Sequence, residues 1–448
     1  MTGCDTKSIK SLRELNGRYS ILELLRLFAY EDLSQRRDSH DEVCTHHAYY
    51  YSCFLKSKEK ELLGLKEREA LNEISLEIDN IRSAWNFAVL HNLKDVITNS
   101  VNSLYSFYDL TGWIQEGVEV FRRAEERLRR KEDLVTFALV LEKEGMFSYR
   151  QARYEEVEVI FKSKNLKMDL ARTVIGLGNT AYRKGNISDA RANYQNALNL
   201  SKKIDYHLGM ALALNGLGVI NRVQGKFARA KGNLKNCIDI SRKIGYQRGI
   251  ALAFNNLGNI AIAEKQFVEA RNLYQECLII FEEIGDVGGK ALSTNNLGYV
   301  LYKLGEYDEA QRLLEKGLEI YTEIGEKRGM ALTLINLGNI AIEKKEEKAK
   351  SLLIGALRLA TEINVRGLSL EAAVSLADYY QWKKDYNRAW QIVNSITIDE
   401  IIDDDLEDRV LDLTDKIRGK VSKEEKKLKY EDLAEIIKDE DPDDNHRD

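Results

Sequence analysis

The stretch from Asn255 to Phe267 reads NNLGNIAIAEKQF, and related stretches lie 40 residues to either side of it. NGLGVINRVQGKF occupies Asn215–Phe227, and NNLGYVLYKLGEY occupies Asn295–Tyr307. The Leu-Gly pair inside these stretches occurs five times at this interval, with its glycine at Gly178, Gly218, Gly258, Gly298 and Gly338. A sequence that resembles itself at a fixed period of about 20–50 residues indicates an array of stacked structural units.

Each unit is expected to contain two helices. Apolar residues at helical spacing place the first helix over roughly Met210–Gln224, and Gly225 ends it. The second helix is expected over Phe227–Ile244, where Gly245 suits a left-handed cap. An alanine follows the glycine of each Leu-Gly pair by twelve residues, or by eleven in the last unit, at Ala190, Ala230, Ala270, Ala310 and Ala349. These small residues allow two helices to approach closely, and neighbouring units then bury their apolar faces by stacking.

The period also suits HEAT repeats and propeller blades, but the strands of period two that a propeller requires are not found. Glycine at the eighth position of the unit, alanine at the twentieth and a small residue at the twenty-seventh resemble the tetratricopeptide repeat (TPR), lengthened to 40 residues from its usual length of about 34. The resemblance covers Leu134 to Val393. It implies an all-α fold, a right-handed superhelical solenoid of antiparallel helix pairs behind an N-terminal helical adaptor.

The first third of the chain does not follow this period. GRYSILELLRLFAYEDL (Gly17–Leu33), HAYYYSCFL (His47–Leu55) and EISLEIDNIRSAWNFAV (Glu73–Val89) occur there in that order. They resemble the region that joins the nucleotide switch to the repeat sensor in STAND-class regulators, the NB-ARC and MalT-like proteins. GWIQEGVEVFRRAEERL (Gly112–Leu128) resembles the helical hairpin that follows in that family.

Two departures from that family bear on function. Leu22 stands where the family carries a nucleotide-sensing histidine, and the P-loop pattern GxxxxGK[ST] does not occur in the sequence. The resemblance therefore implies the sensor half of a switch, with the ATPase domain absent.

Four segments are predicted along the chain. They are a winged-helix-like remnant or helical start (1–35), a helical adaptor of TPR-like hairpins (36–130), the TPR array (131–395) and an acidic tail that is helical or disordered (396–448). The tail carries 20 acidic and 10 basic residues, a net charge of −10, so the remainder carries +5. An amphipathic helix is expected over Lys420–Glu440, and disorder from Asp441.

Composition excludes several classes of function. Charged residues make up 31% of the chain and there is one proline, which favours long helices. No apolar run approaches the roughly 18–20 residues of a membrane span. A body charged only +5 lacks the strongly basic balance of a nucleic-acid-binding protein. Five cysteines without metal-ligand spacing indicate reduced thiols and a cytoplasmic location.

Asparagine recurs in the predicted first helices, although it is a mediocre helix former. In a TPR array, positions two, five, six, nine, twelve and thirteen of the first helix line the concave face. The candidate ligand groove at these positions comprises Asn179, Arg183, Asn215, Arg222, Asn255, Asn259, Asn295, Tyr299, Lys303 and Asn339. Asparagine both donates and accepts hydrogen bonds, and can therefore hold a peptide backbone. The alternative is that these amides bond neighbouring helices to one another.

The sequence thus predicts a scaffold or sensor that binds a protein or peptide in the concave groove and is not an enzyme. The basic groove residues favour an acidic segment as ligand. No catalytic residue, metal ligand or cofactor is predicted, and neither membrane binding nor direct nucleic-acid binding is expected. The alternatives are the sensor half of a split STAND nucleotide switch and a ligand-responsive transcription regulator.

Overall fold

The computed structural model describes residues 13–15, 18–20, 37–64, 66–129, 133–148, 151–396 and 404–421. These residues form nineteen α-helices and one two-stranded hairpin. The predicted all-α solenoid of antiparallel helix pairs is confirmed. Much of the predicted winged-helix-like segment, including Leu22, lies outside the described residues, as does the tail beyond residue 421.

The helices follow one another in pairs along the chain. The N-terminal helices are α1 (Arg37–Lys58), α2 (Glu67–His91), α3 (Lys94–Thr111), α4 (Ile114–Leu128), α5 (Leu134–Ser148) and α6 (Gln151–Ser163). The regular units supply α7 (Lys167–Arg183), α8 (Ile187–Lys203), α9 (His207–Val223), α10 (Phe227–Ile244), α11 (Gln247–Ala263), α12 (Phe267–Ile284), α13 (Val287–Lys303) and α14 (Tyr307–Glu323). The chain continues through α15 (Lys327–Glu343), α16 (Ala349–Glu362), α17 (Arg366–Trp382), α18 (Tyr386–Ser395) and α19 (Asp404–Arg418). A short 3₁₀ helix covers Glu61–Leu63.

The glycine of the Leu-Gly pair makes room for a side chain of the second helix. A Cβ atom on Gly258 would lie 2.6 Å from the ring of Tyr274, which is buried four residues after Ala270, the repeated alanine of that unit. A Cβ atom on Gly218 would likewise lie 2.7 Å from the Leu234 side chain. The repeated small residue therefore sets the distance between the two helices of a unit, since any larger residue would displace a buried side chain.

The N-terminal helices continue the stack. Side chains from α1 to α6, among them Leu55, Phe107, Phe121 and Phe161, form one buried cluster. The core is thus continuous across residue 130, where the adaptor was predicted to end, and the four-segment division remains a prediction. The hairpin pairs β1 (Arg13–Leu15) with β2 (Arg18–Ser20) in antiparallel register, within the predicted winged-helix-like segment.

The N-terminal helices also contact the array far along the chain. Helix α2 packs on α12, and α3 packs on α13. At this contact the Arg248 guanidinium lies 2.5 Å from an Asp109 carboxylate oxygen and 2.9 Å from an Asp286 oxygen. Glu67, buried at the start of α2, lies near enough to these three residues for their charges to influence its pKa. We call Glu67, Asp109, Arg248 and Asp286 the Arg248 cluster.

Helix α19 covers the last unit of the array. Leu406, Val410, Leu413 and Ile417 are buried against α17 and α18. This part of the acidic tail therefore serves as a cap for an apolar face that no further unit covers.

Candidate functional site

The first helices form the inner face of the array. Backbone contacts join α7 with α9, α9 with α11, α13 with α15 and α15 with α17, whereas consecutive second helices make fewer such contacts. An array curves toward the side on which its helices lie closest together. The free side of the first helices α7, α9, α11, α13 and α15 is therefore concave, and we call it the inner face.

The asparagines at the fifth position bond neighbouring first helices to one another. The amide oxygen of Asn215 accepts from Asn256 Nδ2 at 2.9 Å, that of Asn255 accepts from Asn296 Nδ2 at 2.7 Å, and that of Asn295 accepts from Thr333 Oγ1 at 2.9 Å. Asn255 and Asn295 are buried and Asn215 is half-buried. These bonds give the amides a structural task between units, as the alternative interpretation of the sequence requires.

The asparagines at the ninth position have a different partner. Tyr194 of α8 donates its hydroxyl to Asn179 Oδ1 at 2.7 Å, and Tyr274 of α12 does the same to Asn259 Oδ1 at 2.7 Å. Both tyrosines are buried, while Asn179 is exposed and Asn259 half-buried. Because the oxygen of each amide is already engaged inside its own unit, the NH₂ group is the part available to a ligand. Asn339 is half-buried at the same position, and its side chain makes no hydrogen bond to another described residue.

Four groove candidates remain, of which three are cationic. Arg183 is exposed at the end of α7. Arg222 is half-buried, and among the described residues its Nε finds no acceptor. The Lys303 ammonium lies 5.4 Å from the centre of the Tyr299 ring and 5.7 Å from that of Tyr302. Arg183, Arg222 and Lys303 thus lie at or next to the last residues of α7, α9 and α13, and the Tyr299 ring is beside Lys303.

A cavity of about 150 Å³ opens where the inner face meets the N-terminal helices. Tyr105, Met146, Tyr154, Arg172, Asn179 and Leu212 line it. Of these, only Asn179 was nominated from the sequence. Arg172 stands at the second position of its repeat unit, where the next four units have leucine, and this exception was the available signal. The other side chains come from α3, α5, α6 and α9, and the stacking of these helices brings them together.

Arg172 belongs to a buried ion network beside this cavity. It pairs with Asp169 and lies 3.6 Å from Glu142, which in turn lies 2.9 Å from the Lys143 ammonium. Burial raises the pKa of Glu142, but Lys143 and Arg172 more than offset this, so that its pKa lies below the usual value. Burial lowers the pKa of Lys143 although Glu142 is adjacent. The charge of Arg172 is thus compensated within the fold.

The two cysteines of the array are buried and protonated. Cys237 and Cys277 fill the small position of second helices, where burial raises their pKa values to about 11 and about 12. A protonated thiol is a poor nucleophile. No three histidine, cysteine, aspartate or glutamate side chains come together as metal ligands in the described part of the chain. Within the same ranges, no helix has the length and apolar character needed to cross a bilayer.

Residues 169–243 and 249–323 match the family model of the tetratricopeptide repeat. The chain carries tetratricopeptide repeats. No curated protein matched the sequence.

Solved structures with the same fold share little sequence with this TPR chain. A Rap protein complexed with competence and sporulation factor is 12% identical, with a TM-score of 0.55 over 83% of this chain and 99% of that one. The Cut9–Hcn1 hetero-tetramer of APC/C is 16% identical, with a TM-score of 0.52 over 86% and 74%. A STAND protein with a TPR sensor from Pyrococcus horikoshii is 15% identical, with a TM-score of 0.50 over 86% of this chain and 55% of that one. The chain thus spans about half the length of this STAND protein.

Proposed function

We propose that this TPR chain is a non-enzymatic protein-interaction scaffold that holds an extended peptide segment of its partner along the inner face. The proposal rests on the two Tyr–Asn pairs. Tyr194 and Tyr274 fix the amides of Asn179 and Asn259 with their oxygens engaged. Each amide then offers its NH₂ group to a peptide carbonyl at little further cost in side-chain entropy.

The chemistry of the inner face favours an acidic segment. Arg222 is half-buried and its Nε has no acceptor within the described part of the chain. A ligand carboxylate that reaches the exposed part of this guanidinium would make a charge-assisted hydrogen bond, which is about twice as strong as a neutral one. Arg183 and Lys303 add positive charge at the corresponding ends of α7 and α13. The remaining groove candidates, Asn215, Asn255 and Asn295, contribute by holding the first helices at a fixed spacing.

The regulatory part of the proposal is that peptide binding makes the chain a sensor or scaffold in a cytoplasmic signalling system. The fold it shares with a STAND protein that has a TPR sensor supports this role. A Rap protein of the same fold was solved in complex with competence and sporulation factor, which supports ligand binding by an array of this fold. The sensor half of a split nucleotide switch is the form of this role that the N-terminal resemblance favours.

The proposal is tested by selecting displayed random peptides on the full chain and measuring the affinity of the enriched sequences. Asn179→Ala combined with Asn259→Ala removes two donors without changing the bonds between first helices. Each lost hydrogen bond is worth about 0.5–1.5 kcal/mol, so affinity should fall by roughly five- to a hundredfold. Asn272→Ala, at an exposed position on α12, is the matched control and should bind like the wild type. Peptides that bind the double variant as tightly as the wild type, or no enrichment at all, would refute the proposal.

A further inference from the structure

The outer face of the array, formed by the second helices α8, α10, α12 and α14, is divided into a basic and an acidic half. Helix α10 carries five basic and one acidic side chains, a net charge of +4, whereas α12 carries four acidic and one basic, a net of −3. The flanking helices extend the same signs, with +2 on α8 and −3 on α14. The sign of the charge therefore changes between α10 and α12.

A groove of about 320 Å³ lies at this boundary. Its floor is apolar, formed by Ile238, Leu257 and Leu273. Lys235 and Arg242 stand on the α10 side, and both are exposed. The outer face thus combines an apolar floor with charged margins, which is the usual composition of a protein–protein interface.

The large apolar side chains exposed on α8, α10, α12 and α14 all belong to α10 and α12, the two helices on either side of this groove. Ile244 is 39% exposed at the end of α10, and Val268 and Ile279 on α12 are 56% and 50% exposed. Helices α8 and α14 expose no large apolar side chain. Water-exposed apolar surface is thus concentrated where the charge changes sign, and its burial would favour association.

We propose that the outer face binds a second copy of this chain through a two-fold axis that runs along the groove, parallel to α10 and α12. Rotation about this axis lays α10 of each copy over α12 of its partner, so that basic and acidic helices face each other twice. The 40-residue repeat places Glu276 and Glu283 of α12 within one residue of the heights of Lys235 and Arg242 on α10. A two-fold axis perpendicular to the helices would instead place α10 over α10, and like charges would oppose that arrangement.

The charge pattern is self-complementary, which favours a second copy of this chain over an unrelated partner. An unrelated partner would need only one complementary surface, whereas this groove has Lys235 and Arg242 on its α10 side and Glu269 on its α12 side. The flanking helices α8 and α14 continue these two opposite signs. The interface is separate from the inner face, so the dimer does not depend on the proposed peptide function.

The test is sedimentation velocity and light scattering of the full chain, at about 0.05 M and about 0.5 M salt. The wild type is expected to dimerise at low salt and to dissociate as salt screens the pairs. Two charge-reversal variants are made, Lys235→Glu with Arg242→Glu, and Glu276→Lys with Glu283→Lys. All four positions are exposed, so the variants should keep the wild-type circular dichroism.

Each variant alone places like charges over like, and its dimer should weaken by at least about a hundredfold. An equimolar mixture of the two restores opposite charges on both sides of the axis, and should therefore form a heterodimer. A monomeric wild type would overturn the proposal, as would reversal variants that dimerise as well as the wild type. A mixture that stays monomeric would overturn the proposed axis.

Discussion

Replacing Arg248 by methionine should release the N-terminal helices from the array. The guanidinium is the one cation of the Arg248 cluster, and it lies within 3 Å of both Asp109 and Asp286. The Asp286 side chain is 1% exposed and that of Asp109 is 22% exposed. Methionine preserves the aliphatic stem but leaves these carboxylates facing each other without a cation.

The magnitude follows from burial. Removing one partner of a buried ion pair costs about 3–5 kcal/mol, whereas an exposed pair contributes about 0–1 kcal/mol. Arg248 is 28% exposed, so we expect the lower end of the buried range, about 3 kcal/mol. This corresponds to roughly a hundredfold faster amide hydrogen exchange from the ends of α2 and α3 that contact the array.

The assay is hydrogen exchange followed by mass spectrometry, with Arg229→Met on the exposed side of α10 as the control. Asp109→Asn completes a double-mutant cycle. Because the two side chains share one contact, the double variant should be more stable than the sum of the single effects implies. If Arg248→Met changes exchange at α2 and α3 by less than about fivefold, the pair behaves as a solvated surface bridge and the docking of these helices is refuted.

Three further outcomes are expected. Burial raises the pKa of Glu67 to about 8, helped by Asp286 and Asp109 and opposed by Arg248, so the folded chain keeps a proton that the unfolded chain releases. Wild-type stability should therefore fall as pH rises from about 5 to about 8. In urea unfolding, the free energy of unfolding of Glu67→Gln should increase relative to that of the wild type over this pH range. A difference between the two that does not change with pH would contradict this. Gly258→Leu should lower stability by about 1–3 kcal/mol because its side chain meets the Tyr274 ring, and an unchanged melting temperature would show that the ring moves freely. The triple variant Asn215→Ala, Asn255→Ala, Asn295→Ala removes the acceptors of Asn256 and Asn296 at about 1–3 kcal/mol each, while Thr333 still donates to the Gly329 carbonyl. The variant should therefore melt early, whereas a wild-type melting curve would assign these amides to the ligand.

The repeat made the array predictable from sequence. Two spacing rules, the Leu-Gly pair every 40 residues and the alanine after it, locate the helices. They do so because the two helices of each unit make the same contact with each other. The second helix expected at Phe227–Ile244 has those bounds in the structure, and Gly245 adopts the left-handed conformation that ends it. The first helix starts three residues earlier than expected, at His207, since helix ends depend on the packing of the preceding unit.

The candidate site was less predictable. Position within the repeat tells which face a residue occupies, but not which neighbour its side chain contacts. Asn255 and Asn259 lie one turn apart on α11, yet the first bonds to the next first helix and the second bonds to Tyr274 of its own unit. The Arg248 cluster joins residues more than 100 positions apart, and its geometry depends on how far the superhelix has turned after several units. Small rotations per unit accumulate, so no local pattern in the sequence encodes that contact.

The Arg248 cluster also connects the N-terminal helices to the helices that carry the candidate groove. Arg248 lies in the first turn of α11, and the same helix carries Asn255 and Asn259. Asp286 caps α13, which carries Tyr299 and Lys303, by accepting from the Gly289 amide at 2.8 Å. Asp109 therefore contacts Arg248 on α11, and Arg248 is also paired with Asp286, the N-terminal cap of α13. We therefore expect a ligand that moves α11 away from α13 to lengthen the ion pair between Arg248 and Asp286, and so to weaken the docking of α2 and α3.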